Sequence, residues 1–420
     1  MKKTLVALAA VSAVSAFAQT SVTAFGVVDV AQVTKTHTSL DGTVLSKTSG
    51  INDGYHAGNR IGFRGNEDLG GGLSANFWIE NGINITNGAL FSTRAGAAGQ
   101  QIDGMATSGG THSNMPTGAY TTASNRQSWV SLKDAKMGEV RLGYQYTNLY
   151  EVSSLSGYHF GSEQPGGDMA HGTMSNAYFG GTRANGITYI SPTFNGLTVR
   201  AQYGSGASKE EITVAAAQSA NGSAIQTLNS RRGLLLRYAQ GPIDGSLAYT
   251  TYKNEVAAVS ASTISTVTGV LTGGTTNIFG AVSATASAVA KTESNNLLQA
   301  TGTYDLTSAA KLSYSYAKGN ITDGTTATVS ASTKAVQYGI QYTMGNIRPF
   351  AIAGTGKITQ NSTGNLIQDA KTNQYGVRYD LSKRTILYAM TGTATDGGTA
   401  VAASTIAKRS GTAFGLYHTF

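Results

Sequence analysis

Arg60 and Arg64 stand four residues apart in Arg60-Ile-Gly-Phe-Arg64, with Gly62 between them and Ile61 and Phe63 on the alternate positions. In an extended chain successive side chains point to opposite faces, so both guanidiniums share one face and the apolar side chains share the other. The next segment repeats the division: Ser74, Asn76, Trp78 and Glu80 point one way, Leu73, Ala75, Phe77 and Ile79 the other. Against lipid an arginine costs about 2–4 kcal/mol near the membrane midplane, so this face must meet water. Permanently charged groups fixed on a wet sheet face point to a surface that draws and orients anions.

Period-two alternation, punctuated by turn residues, recurs in about sixteen segments, from 21–33 and 58–67 through 371–380 and 385–394 to 409–420. The connections alternate in length. Short turns fall at Asp68-Leu-Gly-Gly71, Ala135-Lys-Met137, Thr193-Phe-Asn195, Gly241-Pro-Ile243, Thr307-Ser308, Met344-Gly345 and Leu381-Ser382; long segments lie at 34–57, 85–123, 148–181, 206–230, 255–293, 320–332, 357–370 and 395–408. Short turns at one end and long loops at the other, with an even strand number, are the pattern of an all-β transmembrane antiparallel up-and-down β-barrel. Sixteen strands enclose an aqueous channel rather than a packed core.

The terminal strand fits that architecture. Phe414, Leu416 and His418 share one face, and Ala413, Gly415 and Tyr417 the other, up to Phe420. An exposed aromatic edge invites aggregation unless it is paired, and closure onto the segment at 21–33 supplies the partner. His418 is the odd residue on its face, tolerable at the periplasmic interface. Tyr249, Tyr252, Tyr304, Tyr314, Tyr316, Tyr342, Tyr375, Tyr379, Tyr388 and Tyr417 lie near strand ends, where aromatic girdles sit; some of them belong to the lumen instead.

Lys2 and Lys3, the apolar run Leu5 to Val14 and Ala16-Phe17-Ala18 form a secretory signal peptide over 1–18, leaving 19–420 as a single barrel domain. The 420 residues include 53 Gly and 21 Tyr but 5 Pro and no Cys, and 12% are charged; no linker divides them. The net charge of +8 falls by two with the leader. It implies no nucleic-acid partner, because export removes the chain from such partners and the cations are dispersed. Gly354-Thr-Gly-Lys357 lacks the first glycine of a phosphate loop, where Ala351 stands, and Ile358 replaces its Ser or Thr. Six His without Cys offer no metal spacing, and no nucleophile–base constellation is apparent, so neither cofactor, metal nor enzymatic activity is expected.

Ser21-Val-Thr-Ala-Phe-Gly-Val-Val-Asp29, Arg60-Ile-Gly-Phe-Arg-Gly-Asn-Glu-Asp-Leu-Gly-Gly-Gly72, Asn125-Arg-Gln-Ser-Trp-Val-Ser-Leu132 and Gly415-Leu-Tyr-His-Thr-Phe420 resemble segments of general diffusion porins from Gram-negative outer membranes. The likeness is closest to the betaproteobacterial type and spans the mature chain, most specifically 21–200 and 371–420. The resemblance implies a 16-stranded homotrimer in the outer membrane whose third long loop, 148–181, folds into the lumen. It implies wall arginines at Arg60, Arg126 and Arg183, joined by Arg64 on the Arg60 face. They oppose acids on the loop, which carries Glu151, Glu163 and Asp168, with Pro165-Gly-Gly-Asp168 resembling its tip. It also implies that Phe420 is read by the barrel-assembly machinery and that outer-membrane lipid and lipopolysaccharide surround the wall.

Two departures from the family pattern stand out: Tyr144 occupies a position that often carries arginine, and the loops at 85–123 and 255–293 are long. Arg126 shares parity with Val130 and Leu132, which conflicts with a uniformly polar inner face unless a bulge or a trimer contact intervenes. The expected function is passive diffusion of ions and small hydrophilic solutes with weak anion preference. A substrate-specific channel, or a structural or adhesive barrel, is the alternative.

Overall fold

The computed structural model describes residues 21–53, 56–86, 126–155, 183–205, 227–256, 291–322, 329–398 and 407–420. In chain order the strands are β1 (Ser21–Thr38), β2 (Val44–Asp53), β3 (Arg60–Gly70), β4 (Leu73–Gly82), β5 (Gln127–Asp134), β6 (Gly138–Tyr146), β7 (Arg183–Ile190), β8 (Leu197–Ser205), β9 (Thr227–Gln240), β10 (Ile243–Val256), β11 (Lys291–Asp305), β12 (Ala310–Thr322), β13 (Val329–Tyr342), β14 (Ile347–Gln360), β15 (Leu366–Asp380), β16 (Thr385–Asp396) and β17 (Lys408–Thr419). One helix among the described residues, α1 (Asn148–Leu155), follows β6.

These seventeen strands form sixteen staves. The lower part of β1 pairs antiparallel with β3, from Ser21↔Asn66 to Val27↔Arg60, and its upper part pairs with β2, from Val30↔Asp53 to Thr38↔Val44. Strands β2 and β3 are therefore two halves of one stave, broken between Asp53 and Arg60. Every later strand pairs antiparallel with its predecessor, and β17 closes on β1 from Val27↔Thr419 to Thr38↔Lys408. Phe420 extends the closure by one rung, its backbone exchanging hydrogen bonds of 3.1 and 3.2 Å with Gly26. The ring has no free edge, which disposes of the aggregation liability of the terminal strand.

Alternation assigns the faces. Phe63, Ile79, Val130, Leu142, Leu234, Leu247, Tyr314, Tyr338, Phe414 and Leu416 are exposed on the outside, while Glu80, Arg200, Ser246, Thr301 and Gln337 are buried on the inside. Of the girdle tyrosines, Tyr249, Tyr304, Tyr314, Tyr342, Tyr375 and Tyr379 are exposed outside, joined by Tyr189, Tyr203, Tyr238 and Tyr338. Tyr388 and Tyr417 instead turn inward, with Tyr388 buried among Ala31, Val33, Phe350, Ile352, Met390 and Ala413. His418 sits next to the short turn at 381–384 and shares a 2.9 Å hydrogen bond with Thr385 Oγ1, which is the interfacial position its parity requires. At the Phe194↔Leu197 turn, Asn195 and Gly196 have φ of 47° and 84°, the doubly positive pair of the tightest hairpin, to which Asn and Gly are suited.

Several long connections expected from sequence are largely strand. The segment 34–57 contains the end of β1 and all of β2, joined by a turn at 39–43; β12 and β13, and β14 and β15, likewise run far into 320–332 and 357–370. Above the membrane both faces of a stave are wet, so Thr, Ser and Lys stand at both parities. The hydrophobic period then vanishes while the backbone ladder continues. Most of 85–123, 148–181, 206–230 and 255–293 lies outside the described residues.

Candidate functional site: the lumen wall

The break between β2 and β3 sets up the first cluster. Asp29 of β1 is buried on the inner face and accepts hydrogen bonds from the backbone N–H of His56 at 2.5 Å, from that of Ala57 at 2.7 Å and from the Tyr388 hydroxyl at 2.6 Å. Asn59 adds a reciprocal pair: its Oδ1 accepts from the Asp29 N–H and its Nδ2 donates to the Asp29 carbonyl. These bonds pin 56–59 to the inner wall. Arg60 follows immediately, donating to the Gly58 carbonyl at 3.2 Å, with its Nε 4.0 Å from Glu80 Oε1.

Glu80 is the hub. It is 3% exposed and accepts from Arg126 Nε at 2.5 Å, from the Tyr146 hydroxyl at 3.1 Å and from Trp78 Nε1 at 3.1 Å. Arg126 also donates to the Tyr146 hydroxyl at 2.9 Å. The parity conflict at Arg126 dissolves here. Strand β5 begins at Gln127, and Arg126 sits in the bend before it, so alternation does not fix its direction. Its described carboxylate partner is thus a wall residue of β4.

Four residues along β3 from Arg60, Arg64 lies 5.8 and 5.7 Å from the ring centres of Phe25 and Trp78. Trp78 faces Trp129 across β4 and β5 with parallel rings 6.1 Å apart. Arg141 lies 4.3 Å over Trp129 and makes a bidentate pair with Glu139 at 2.8 and 3.1 Å. Arg183 opens β7 opposite Tyr146; its side chain, and both Glu163 and Asp168, fall outside the described residues.

Helix α1 belongs to the interior. Val152 packs on Leu235 of β9 and Ala248 of β10, both on the inner face, and its carbonyl accepts from Thr301 of β11 at 2.5 Å. Glu151 pairs with Arg200 of β8 at 2.7 Å. Arg200 and Gln202 both donate to the Tyr146 backbone carbonyl, at 2.6 and 2.8 Å, and the side-chain Oε1 of Gln202 accepts from the Asn148 backbone N–H at 3.2 Å. The segment 148–181 therefore starts by leaving the β6 end inward and crossing to β9–β11.

Further inner charges escaped the sequence reading. Arg237 pairs with Asp244 at 2.7 Å, and Arg348 pairs with Asp380. Arg378, directly across from Arg348, donates to Gln341 and lies 5.6 Å from the Phe350 ring centre. Inner parity within each strand was the signal available for all of them. Among the described residues no group of three His, Cys, Asp or Glu could hold a metal ion.

A family model described as Gram-negative porin matches residues 4–399. Outer membrane porin protein 32 of Delftia acidovorans is 32% identical over 270 residues, 62% of this chain and 62% of that protein. An outer membrane porin of Bordetella pertussis is 27% identical over 264 residues, 59% of each. The chain thus spans about three fifths of the length of the curated relatives it matches. An anion-selective porin from Comamonas acidovorans shares the fold: 96% of this chain and 100% of that one align, with a TM-score of 0.62 and 21% identity.

Proposed function

We infer the function from one premise: the chain belongs to the Gram-negative porin family. It is a β-barrel of the outer membrane, and its function is to let ions and small hydrophilic solutes diffuse passively through a water-filled lumen, with a weak preference for anions. The observation that carries the preference is Arg64, a wall cation that meets no carboxylate among the described residues. Arg60 and Arg126 both reach the carboxylate of Glu80, and Arg64 follows on the same wall, against aromatic rings and no carboxylate among the described residues. An excess of fixed cations beside a narrow aqueous path raises the local anion concentration.

In the same reading Arg183 completes the cationic wall, and Glu163 and Asp168, further along 148–181, supply the opposed charge across the opening. The inward course of α1 supports that path. Residues 1–18 are a cleaved leader, Phe420 marks the chain for the barrel-assembly machinery, and three copies assemble as a homotrimer. On the outside, Lys318, Lys334 and Lys357 lie directly opposite one another on β12, β13 and β14, just beyond Tyr314 and Tyr338. Like charges in such register repel unless anions offset them; Asp369 of β15 lies 3.8 Å from Lys357, and the phosphates of lipopolysaccharide offset the remainder.

Reversal potentials in planar bilayers under a potassium chloride gradient test the channel and its preference together. The sign should report chloride as the more permeant ion, and Arg60→Ala and Arg183→Ala should each reduce the ratio. A clear preference for potassium refutes the reading.

A further inference from the structure

The wall on the turn side of the Glu80 cluster is aromatic as well as cationic, and its parts are held for contact with a solute. Phe25, Arg64 and Trp78 come from three neighbouring staves, with Arg64 directly across from Trp78 and Phe25 directly across from Gly62. The Phe25 ring lies across Gly62, filling the space a Cβ would need: its Cζ is 2.5 Å from that point. Phe25 and Trp78 meet at 4.5 Å between ring centres. Both indole N–H groups are already satisfied, Trp78 by Glu80 at 3.1 Å and Trp129 by Gln127 at 3.2 Å. Those bonds tie the indoles to their own strands and leave the ring faces, not the N–H edges, for further contacts.

Arg64 differs from its neighbours on this wall. Arg60 and Arg126 share Glu80, Arg141 has Glu139, and Arg200 has Glu151. Among the described residues Arg64 contacts aromatic faces and no carboxylate, and it is exposed to the lumen. A guanidinium is planar and weakly hydrated; it binds a carboxylate through two parallel hydrogen bonds and stacks on flat π-systems. A solute that uses both properties is a flat aromatic ring bearing a carboxylate. A sugar would leave the unpaired cation unused, and a small, strongly hydrated anion would gain nothing from Phe25 and Trp78.

We propose that Arg64, Phe25 and Trp78 form a low-affinity subsite for aromatic carboxylates in the lumen. It rests on the diffusion-channel reading and narrows it to a favoured solute class. Binding must be weak for a permeating solute to leave, and one arginine beside two rings meets that condition. A solute released from the Arg60–Arg126 cluster finds its next cation four residues along the same strand, about 13 Å away.

Trp78 and Trp129 are the only two tryptophans of the chain, so tryptophan emission, excited selectively over that of the 21 tyrosines, reports on this wall alone. The full-length folded protein in detergent is titrated with benzoate, acetate and benzamide. Benzoate should give a saturable change, acetate and benzamide none. Arg64→Gln should raise the half-saturating benzoate concentration about tenfold, and Arg64→Lys, which keeps the charge but not the plane, by less. Trp129→Phe leaves Trp78 as the sole reporter and should preserve the benzoate response. Retained β-sheet circular dichroism verifies folding of each variant. Equal responses to benzoate and acetate, or an unchanged benzoate response in Arg64→Gln, overturn the proposal. Bilayer conductance separates the two readings: a non-conducting protein that still binds benzoate sinks the channel and keeps the subsite, whereas a conducting protein without saturable benzoate binding does the reverse.

Discussion

Staves β3 to β8 and staves β10 to β13 line one lumen with opposite chemistry. The first wall carries Arg60, Arg64, Glu80, Glu139, Arg141 and Arg200 on its inner face, interleaved with Trp78 and Trp129. The second carries Ser246, Ala248, Thr250, Gln299, Thr301, Thr303, Ser313, Ser315, Thr333, Ala335 and Gln337. Among its described side chains the inner charges lie near the short turns: Asp244, which pairs with Arg237 of the adjoining β9, and the pair Lys311–Asp305. Helix α1 docks at the edge of the neutral side, where Val152 buries against Leu235 of the adjoining β9 and Ala248 of β10. The helix residue that meets the charged side, Glu151, arrives with a countercharge for Arg200. The neutral side therefore supports α1, and the charged wall faces the lumen.

Glu80→Ala should be the harshest break of this contrast. It strips the carboxylate from Arg126, whose side chain is 12% exposed, and from Arg60. Removing one member of a buried pair costs about 3–5 kcal/mol, and lumen water near the arginines argues for about 3. Denaturant unfolding followed by tryptophan fluorescence should register the loss, with anion preference rising in the same variant. A stability unchanged from wild type would show that Glu80 does not hold the wall.

Leu235→Ala attacks the other side. Truncating a buried leucine costs about 2–5 kcal/mol in a closed core, and the low end applies beside a wet lumen. Detachment of α1 should widen the path, so single-channel conductance should rise while selectivity changes little. A change in selectivity without a change in conductance would contradict the division of labour. The mildest test leaves the chain intact. Raising the salt from 0.1 to 1 M shortens the screening length from about 10 to about 3 Å, so the anion preference should fade if the charged wall generates it.

How much of this was legible depended on where the signal resides. The inward direction of Arg60, Arg64 and Glu80 and the outward direction of Phe63 and Ile79 follow from alternation alone, as does the split of Phe414 and Leu416 from Ala413 and Gly415. Alternation failed at Arg126, because the residue sits in a bend. It was silent over 34–57, where water on both faces erased the period although the ladder persists in β2. It also could not pair Arg126 with Glu80, forty-six residues apart in sequence, or bring Tyr388 to Asp29 across the closure between the two ends of the barrel.

The sequence by itself determined the faces, the stave number and the closure of the last strand on the first, because each is a local consequence of period two, turn chemistry and the need to pair every edge. Only the tertiary structure decided which charges meet. Ion pairs and ring contacts depend on strand register and on where the chain leaves the ladder, at Arg126, at 56–59 and at α1. These are sums over many staves that no single stretch of sequence contains.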